Sequence, residues 1–169
     1  MKMFIPALLF MICIACAPTQ VAQQNITRCE HPKPGLASTR VAVFDISTSA
    51  IVTGQVVSCL KKLGWMAFVG PGPNMEPRLF DGATRAVGLE FGQYQSKGGN
   101  LGGVAGVTVL AKHLVRIVNA NGLELGKHSF EQPGAAANLF DAMRVADLEA
   151  VVRASLVVHE VLLKAEVQP

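Results

Sequence analysis

The chain has 169 residues, 50% of them hydrophobic and 16% charged, with a formal net charge of +3. That balance excludes a disordered polyelectrolyte and leaves room for one domain with a core plus a processed leader. Removing Lys2 from the 15 basic residues leaves 14 against 12 acidic ones, in no basic run, so nucleic acid is not indicated as a partner.

Met1 to Cys16 (MKMFIPALLFMICIAC) carries one Lys and then an apolar stretch. At roughly a dozen residues, that stretch has the length of a signal-peptide core and is short for a bilayer span. The expectation is an exported protein with residues 1–15 as signal peptide. The stretch ends Cys13-Ile14-Ala15-Cys16 and resembles a bacterial lipobox, in which a small residue precedes the Cys that becomes the acylated N-terminus; Cys13 stands where Leu is usual. Cys16 is therefore the expected lipidation site, holding the protein by acyl chains such as palmitate and not by a helix. Ala17 after that Cys resembles lipoproteins sorted to the outer membrane, with the domain on the periplasmic side. The alternative is ordinary cleavage after Ala17, since Ala15-Cys16-Ala17 also fits a small-x-small site, giving a soluble periplasmic or secreted protein.

Residues 16–38 are polar, rich in Gln and Pro and without periodicity, and read as a lipid-anchored tether; residues 39–169 read as a single α/β periplasmic domain. Arg40 to Ile46 (RVAVFDI) is β-rich, and Ser47, Thr48 and Ser49 offer helix N-caps. Val52, Val56, Cys59, Leu60 and Leu63 then recur at helical steps, Lys61 and Lys62 suit a last turn, and Gly64 suits a C-cap. Trp65 to Val69 is a second strand, ended by Gly70-Pro71-Gly72-Pro73, so the opening unit is βαβ. Glu76 to Ala86 reads as a weak helix or loop.

Val87 to Gln95 reads as extended, and Val107 to Val118 alternates apolar and polar residues with the period of a strand. Five glycines between Gly98 and Gly106 link the two. That tip reads either as a plain hairpin loop or as a mobile segment, Lys97 to Gly106, that orders against a membrane or an assembly partner through Leu101 and Val104. Asn119-Ala120-Asn121-Gly122 reverses the chain into a further strand from Leu123. A two-residue Asn121-Gly122 loop sets Glu124, Gly126 and His128 beside the apolar face. A three-residue loop with Gly122 left-handed pairs Ile117 with Leu125, matching apolar with apolar, and is preferred. Leu139 to Lys164 is a long helix whose broad apolar arc, including Leu148, Val152, Leu156 and Leu163, suits a sheet or also a neighbouring subunit. The fold class is thus α+β, with a βαβ opening unit, an antiparallel glycine-linked hairpin region and a long C-terminal helix, the helices packed on a mixed sheet.

From Val87 to Phe130, the pattern G-x-E-x-G-x-Y-x-S, the glycine-rich segment and then V-R-I-V-N-A-N-G-L-E-L-G resembles the curli secretion channel (CsgG-like) family of outer-membrane lipoproteins. The resemblance spans roughly residues 40–165 and carries over Cys16 as lipid site and Asn121-Gly122 as hairpin turn. It implies ring-forming subunits that serve export or surface assembly. The chain is short of the two membrane-inserting hairpins of that family, so the implied role is an accessory subunit of an outer-membrane secretion or surface-structure assembly complex, without its own complete pore. Homo-oligomers or secretion-complex partners follow from it. The alternative is a monomeric periplasmic ligand-binding or enzymatic domain.

No reaction is legible. Gly98-Gly99-Asn100-Leu101-Gly102-Gly103 lacks the Lys-Ser/Thr of a phosphate loop and joins strand to strand. His31, His113, His128 and His159 form no metal set and are expected at surface or half-buried positions, and His159-Glu160 lacks the second His of a zinc-protease helix. No nucleophile elbow or paired acids occur, so neither an enzyme, a cofactor nor a metal is expected. Cys29 and Cys59 either form a disulfide in an oxidising periplasm, joining tether to first helix, or remain two thiols.

Overall fold

Two short and three long extended runs become strands here, and the segments with helical apolar spacing become the two helices that cover them. The computed structural model describes residues 28–46, 50–71, 82–101 and 104–167, with the backbone alone for 50, 97–101, 104, 105 and 167. The expected signal peptide, Cys16 and the Ser47–Ser49 caps lie outside the described residues. The elements are β1 (Arg40–Asp45), α1 (Ala50–Lys62), β2 (Met66–Val69), β3 (Arg85–Leu101), β4 (Val104–Asn119), β5 (Glu124–Ala136) and α2 (Leu139–Val167).

The sheet runs β2-β1-β3-β4-β5. β1 is parallel to both β2 and β3, whereas β3, β4 and β5 form antiparallel pairs. The βαβ opening and the mixed sheet thus match expectation, and Gly64 ends α1 with a φ of 96°. Of the stretch read as a weak helix or loop, the described end is not helical: Thr84 N–H donates to the Arg40 carbonyl, and Arg85 and Ala86 already belong to β3.

Odd-numbered β4 residues Val109, Ala111, Val115 and Ile117 are fully buried against the helices, as their alternation predicts. The contact line of α2 is a different one from the apolar stripe read in the sequence. Ala142, Ala146, Ala150 and Ala154, four residues apart and each 0% exposed, lie against the sheet, with Val158 and Leu162 continuing the row. Leu148 and Val152 flank it as core residues, and Leu156 and Leu163 pack at its margin. Short side chains bring the helix axis close to β5, and two glycines of that strand complete the approach. A Cβ on Gly126 would stand 3.1 Å from both Val161 methyl groups, and one on Gly134 would stand 2.6 Å from the Ala146 nitrogen.

That approach overturns the preferred hairpin register. The turn itself is the expected three-residue one: Asn119 N–H donates to the Leu123 carbonyl, and Gly122 has a φ of 79°. Val118 pairs with Glu124, but a bulge at Leu125 then shifts the ladder, so Ile117 faces Gly126, Val115 faces His128 and His113 faces Phe130. The bulge puts a glycine, where a leucine was expected, beneath Val161, while Leu125 still packs at the edge of the core. Gly134→Ala should cost about 2 kcal/mol, because the added methyl meets helix backbone and not the end of a flexible side chain. Urea unfolding of that variant, with Gly122→Ala as a turn-only comparison, checks it.

The glycine-rich link is also shorter than the sequence suggested. β3 and β4 stay paired from Arg85↔Asn119 through Lys97↔Thr108 to Leu101↔Val104. β5 ends at Ala136 opposite Val107, and β1 ends at Asp45 opposite Leu89. The far end of the β3–β4 ladder is therefore a two-stranded ribbon overhanging the sheet.

Candidate functional site

Residues 28–38, part of the stretch read as tether, are pinned to the domain. Cys29 and Cys59 are joined as a disulfide with Cα atoms 5.6 Å apart. Arg28 Nη1 meets Glu149 Oε2 of α2 at 2.8 Å, and Lys62 Nζ meets Glu30 Oε1 at 3.3 Å. Gly35 N–H donates to the Leu63 carbonyl at 2.7 Å and lies flat on the Trp65 ring, where a Cβ would stand 2.6 Å from Cδ2.

Beneath this strap sits His159, 0% exposed. Trp65 Nε1–H donates to its Nδ1 at 2.8 Å, which leaves Nε2 to donate to the Lys33 carbonyl at 2.9 Å. Both nitrogens are thus engaged, and burial holds the ring below its ordinary pKa, with the Lys33 bond opposing. His31 lies edge-on to it, with ring centroids 4.5 Å apart. The expectation of surface or half-buried histidines fails again at His113. It is 1% exposed between Phe91 and Phe130, at centroid distances of 4.2 and 5.4 Å. Neither of its nitrogens has a hydrogen-bond partner among the described residues. Burial pushes it down to about 4. The alternation of β4 carried the sign, since His113 falls on the same odd-numbered face as Ala111 and Val115, but histidine's polarity alone assigns it to the surface. His128 is exposed on β5. Among the described residues, no three His, Cys, Asp or Glu side chains stand close enough to hold a metal.

A groove of mixed chemistry lies where β3 meets the first turns of both helices. It encloses about 360 Å³ between Ile51, Val52, Phe140, Met143 and Leu148, with Tyr94, Arg144 and Asp147 as its polar members. α2 is started there by Asn138, whose Oδ1 accepts from Asp141 N–H at 2.9 Å while its Nδ2 donates to Asp141 Oδ2 at 2.7 Å. About two turns on, Tyr94 Oη donates to Asp147 Oδ2 at 2.7 Å. Burial raises both groups above their ordinary values, helped at Tyr94 by the Asp147 bond and charge and opposed at Asp147 by the same bond. Asp147 Oδ1 is buried with no partner among the described residues, leaving one acceptor free at an apolar groove. Tyr94 is part of the motif noted in the sequence, but its pairing with Asp147 joins residues 53 positions apart and was not legible there.

The remaining expected site residues fall elsewhere. Leu101 and Val104 form the last pair of the ribbon ladder, and their side chains lie outside the described part.

Neither a family model nor a curated protein matches the sequence. Among solved structures, a hypothetical protein from Chlamydia trachomatis aligns with a TM-score of 0.52 at 13% identity, covering 75% of this chain and 98% of that one. That likeness is one of fold. A minor lipoprotein from Acinetobacter baumannii aligns over 75% of this chain and 94% of its own at 9% identity, TM-score 0.47. A lipoprotein from Neisseria meningitidis aligns over 70% and 95% at 16% identity, TM-score 0.43.

Proposed function

We propose that the chain is a lipid-anchored envelope protein, acylated at Cys16, whose domain faces the periplasm as a non-catalytic accessory subunit of an outer-membrane secretion or surface-structure assembly complex. The observation that carries this reading is the overhanging β3–β4 ribbon. Past Leu89 on one side and past Val107 on the other, no described strand pairs with it. Open strand edges pair with further strands, and natural domains seldom leave long ones bare without a partner in view. Leu101 and Val104 at its tip are the side chains assigned to that contact. The leader ending at Ala15-Cys16 and the curli-channel-like pattern from Val87 to Phe130 support the envelope part, and the Cys29–Cys59 disulfide agrees with an oxidising compartment.

Radiolabelled palmitate should enter the protein, Cys16→Ser should abolish labelling and release it from membranes, and the detergent-solubilised protein should have the mass of several protomers. A soluble protein with its N-terminus after Ala17 removes the anchor; a strict monomer in detergent removes the assembly role. The second reading, a monomeric domain that binds a small ligand, rests on the partnerless Asp147 Oδ1 in its apolar groove. Monomer mass together with saturable binding lost in Asp147→Asn favours it.

A further inference from the structure

The topology gives the domain two unlike ends. β1 and β2 run in the direction of β3, and α1 returns against them, so the ends of β1 and β2 share one pole with the start of α1, and the ribbon projects past that pole from Leu89, opposite Asp45, on to Leu101. α2 starts at that pole as well, because β5 reaches it at Ala136 and the far end of α2 is fixed to the opposite pole. There Arg85 Nη2, at the start of β3, meets Glu166 Oε1 at 2.9 Å, and Thr39 Oγ1 donates to the same oxygen.

Of the nine exposed large apolar side chains among the described residues, five lie towards the first pole, whereas Met66 at the start of β2, Leu123 in the β4–β5 turn and Leu36 ahead of β1 lie towards the other. Ile46 follows β1 and Val69 ends β2, at 43% and 57% exposure, Ile51 opens α1 at 63%, and Leu139 and Phe140 open α2 at 41% and 81%, with Ile51 and Phe140 lining one groove. Side chains this exposed, brought together at the starts of two helices, suit a contact surface. What covers it is indicated by the chain ahead of the strap. Arg28 is held at Glu149 and Cys29 at Cys59. Ten residues from Leu139 to Glu149 and nine from Ala50 to Cys59 place that entry about 15 Å from the apolar pole, at 1.5 Å per helical residue. From Cys16 to Arg28 the chain spans at most about 40 Å when fully extended. A bilayer holding Cys16 is therefore always within reach of the pole, at an effective concentration no diffusing partner matches.

We propose that this pole docks on the bilayer that carries the acyl anchor, with Ile51, Leu139 and Phe140 set into the boundary between headgroups and acyl chains. The inference rests on acylation of Cys16. It turns the overhanging ribbon towards the same membrane.

The chain has one Trp, Trp65, which is 3% exposed and precedes β2 at the opposite pole, so it serves as an internal reference. Full-length acylated protein carrying Phe140→Trp is reconstituted into phosphatidylethanolamine–phosphatidylglycerol vesicles, with and without bromine on the acyl chains. Ile51→Trp, on the other helix, repeats the measurement. The expected result is blue-shifted added emission that loses about half or more of its intensity to brominated lipid, while the parent protein with Trp65 alone is unquenched. Protein that floats with the vesicles but whose added Trp is unquenched at both positions overturns the proposal. If its emission is nonetheless blue-shifted in an oligomer, the pole is covered by protein. A parent protein that fails to float removes the anchor, and this proposal with it.

Discussion

Replacing both Cys29 and Cys59 with Ala should lower stability by about 3 to 4 kcal/mol, from loop entropy alone. The bond spans a sequence separation of 30 residues, and closing a loop of that size restricts the unfolded chain by this amount. For a domain of this length, the melting temperature should fall by about 10 to 15 °C. A second readout reports the strap itself. Without the bond, residues 28–38 are still held by contacts that include the Arg28–Glu149 and Lys62–Glu30 pairs, the Lys33, Gly35 and Leu36 backbone bonds and the His31–His159 ring contact. Surface ion pairs of this kind contribute at most about 1 kcal/mol each. Gly35 should then lift from the Trp65 ring and shift its emission to the red. A red shift with an unchanged urea midpoint would mean that the bond fixes only the strap; no change in either would show that the strap holds without it.

The same strap shows where sequence reading stops. Its composition is that of a tether, because what fixes it is backbone: the Lys33 carbonyl on His159, the Gly35 amide on Leu63. Groups that every residue carries leave no compositional trace. The opening βαβ unit, the Asn119–Gly122 turn and α2 were legible for the converse reason, since period and turn chemistry are local properties of side chains. The register past Leu125 was not local. It is set by Val161 and the alanine row of α2, which lie far along the chain and act through closeness of approach, and alanines register weakly in any apolar pattern. The glycine-rich tip misled in the same way: side chains suggested a loop, whereas the backbone continues its ladder to Leu101↔Val104. Of the candidate site, Tyr94 stood in a recognised motif, but its partner Asp147 and the exposed Phe140 come from α2, and only the folded topology brings them together with Ile51.

Acid should destabilise the domain well above the range in which carboxylates titrate, and His113 should account for most of the change. Its ring lies between Phe91 and Phe130; Arg153 stacks over the Phe130 ring at 4.8 Å, and Glu90 and Lys112 line the same small pocket as His113. Burial lowers the folded pKa from 6.5 to about 4. Below pH 6.5 the unfolded chain therefore takes up a proton that the folded state refuses. Stability is complete above pH 6.5 and is lost as pH falls towards 4, by about 2 kcal/mol at pH 5 and about 3 kcal/mol at pH 4. His159, also lowered by burial, adds loss of the same sign. His113→Phe keeps a ring between the two phenylalanines and removes both partnerless nitrogens. It should be at least as stable as the parent at pH 7, since a buried polar group without a partner costs about 1 to 3 kcal/mol. It should also lose most of the acid slope. Urea midpoints of parent and variant at pH 7, 5 and 4 test this, and parallel slopes would show that the proton is taken up elsewhere.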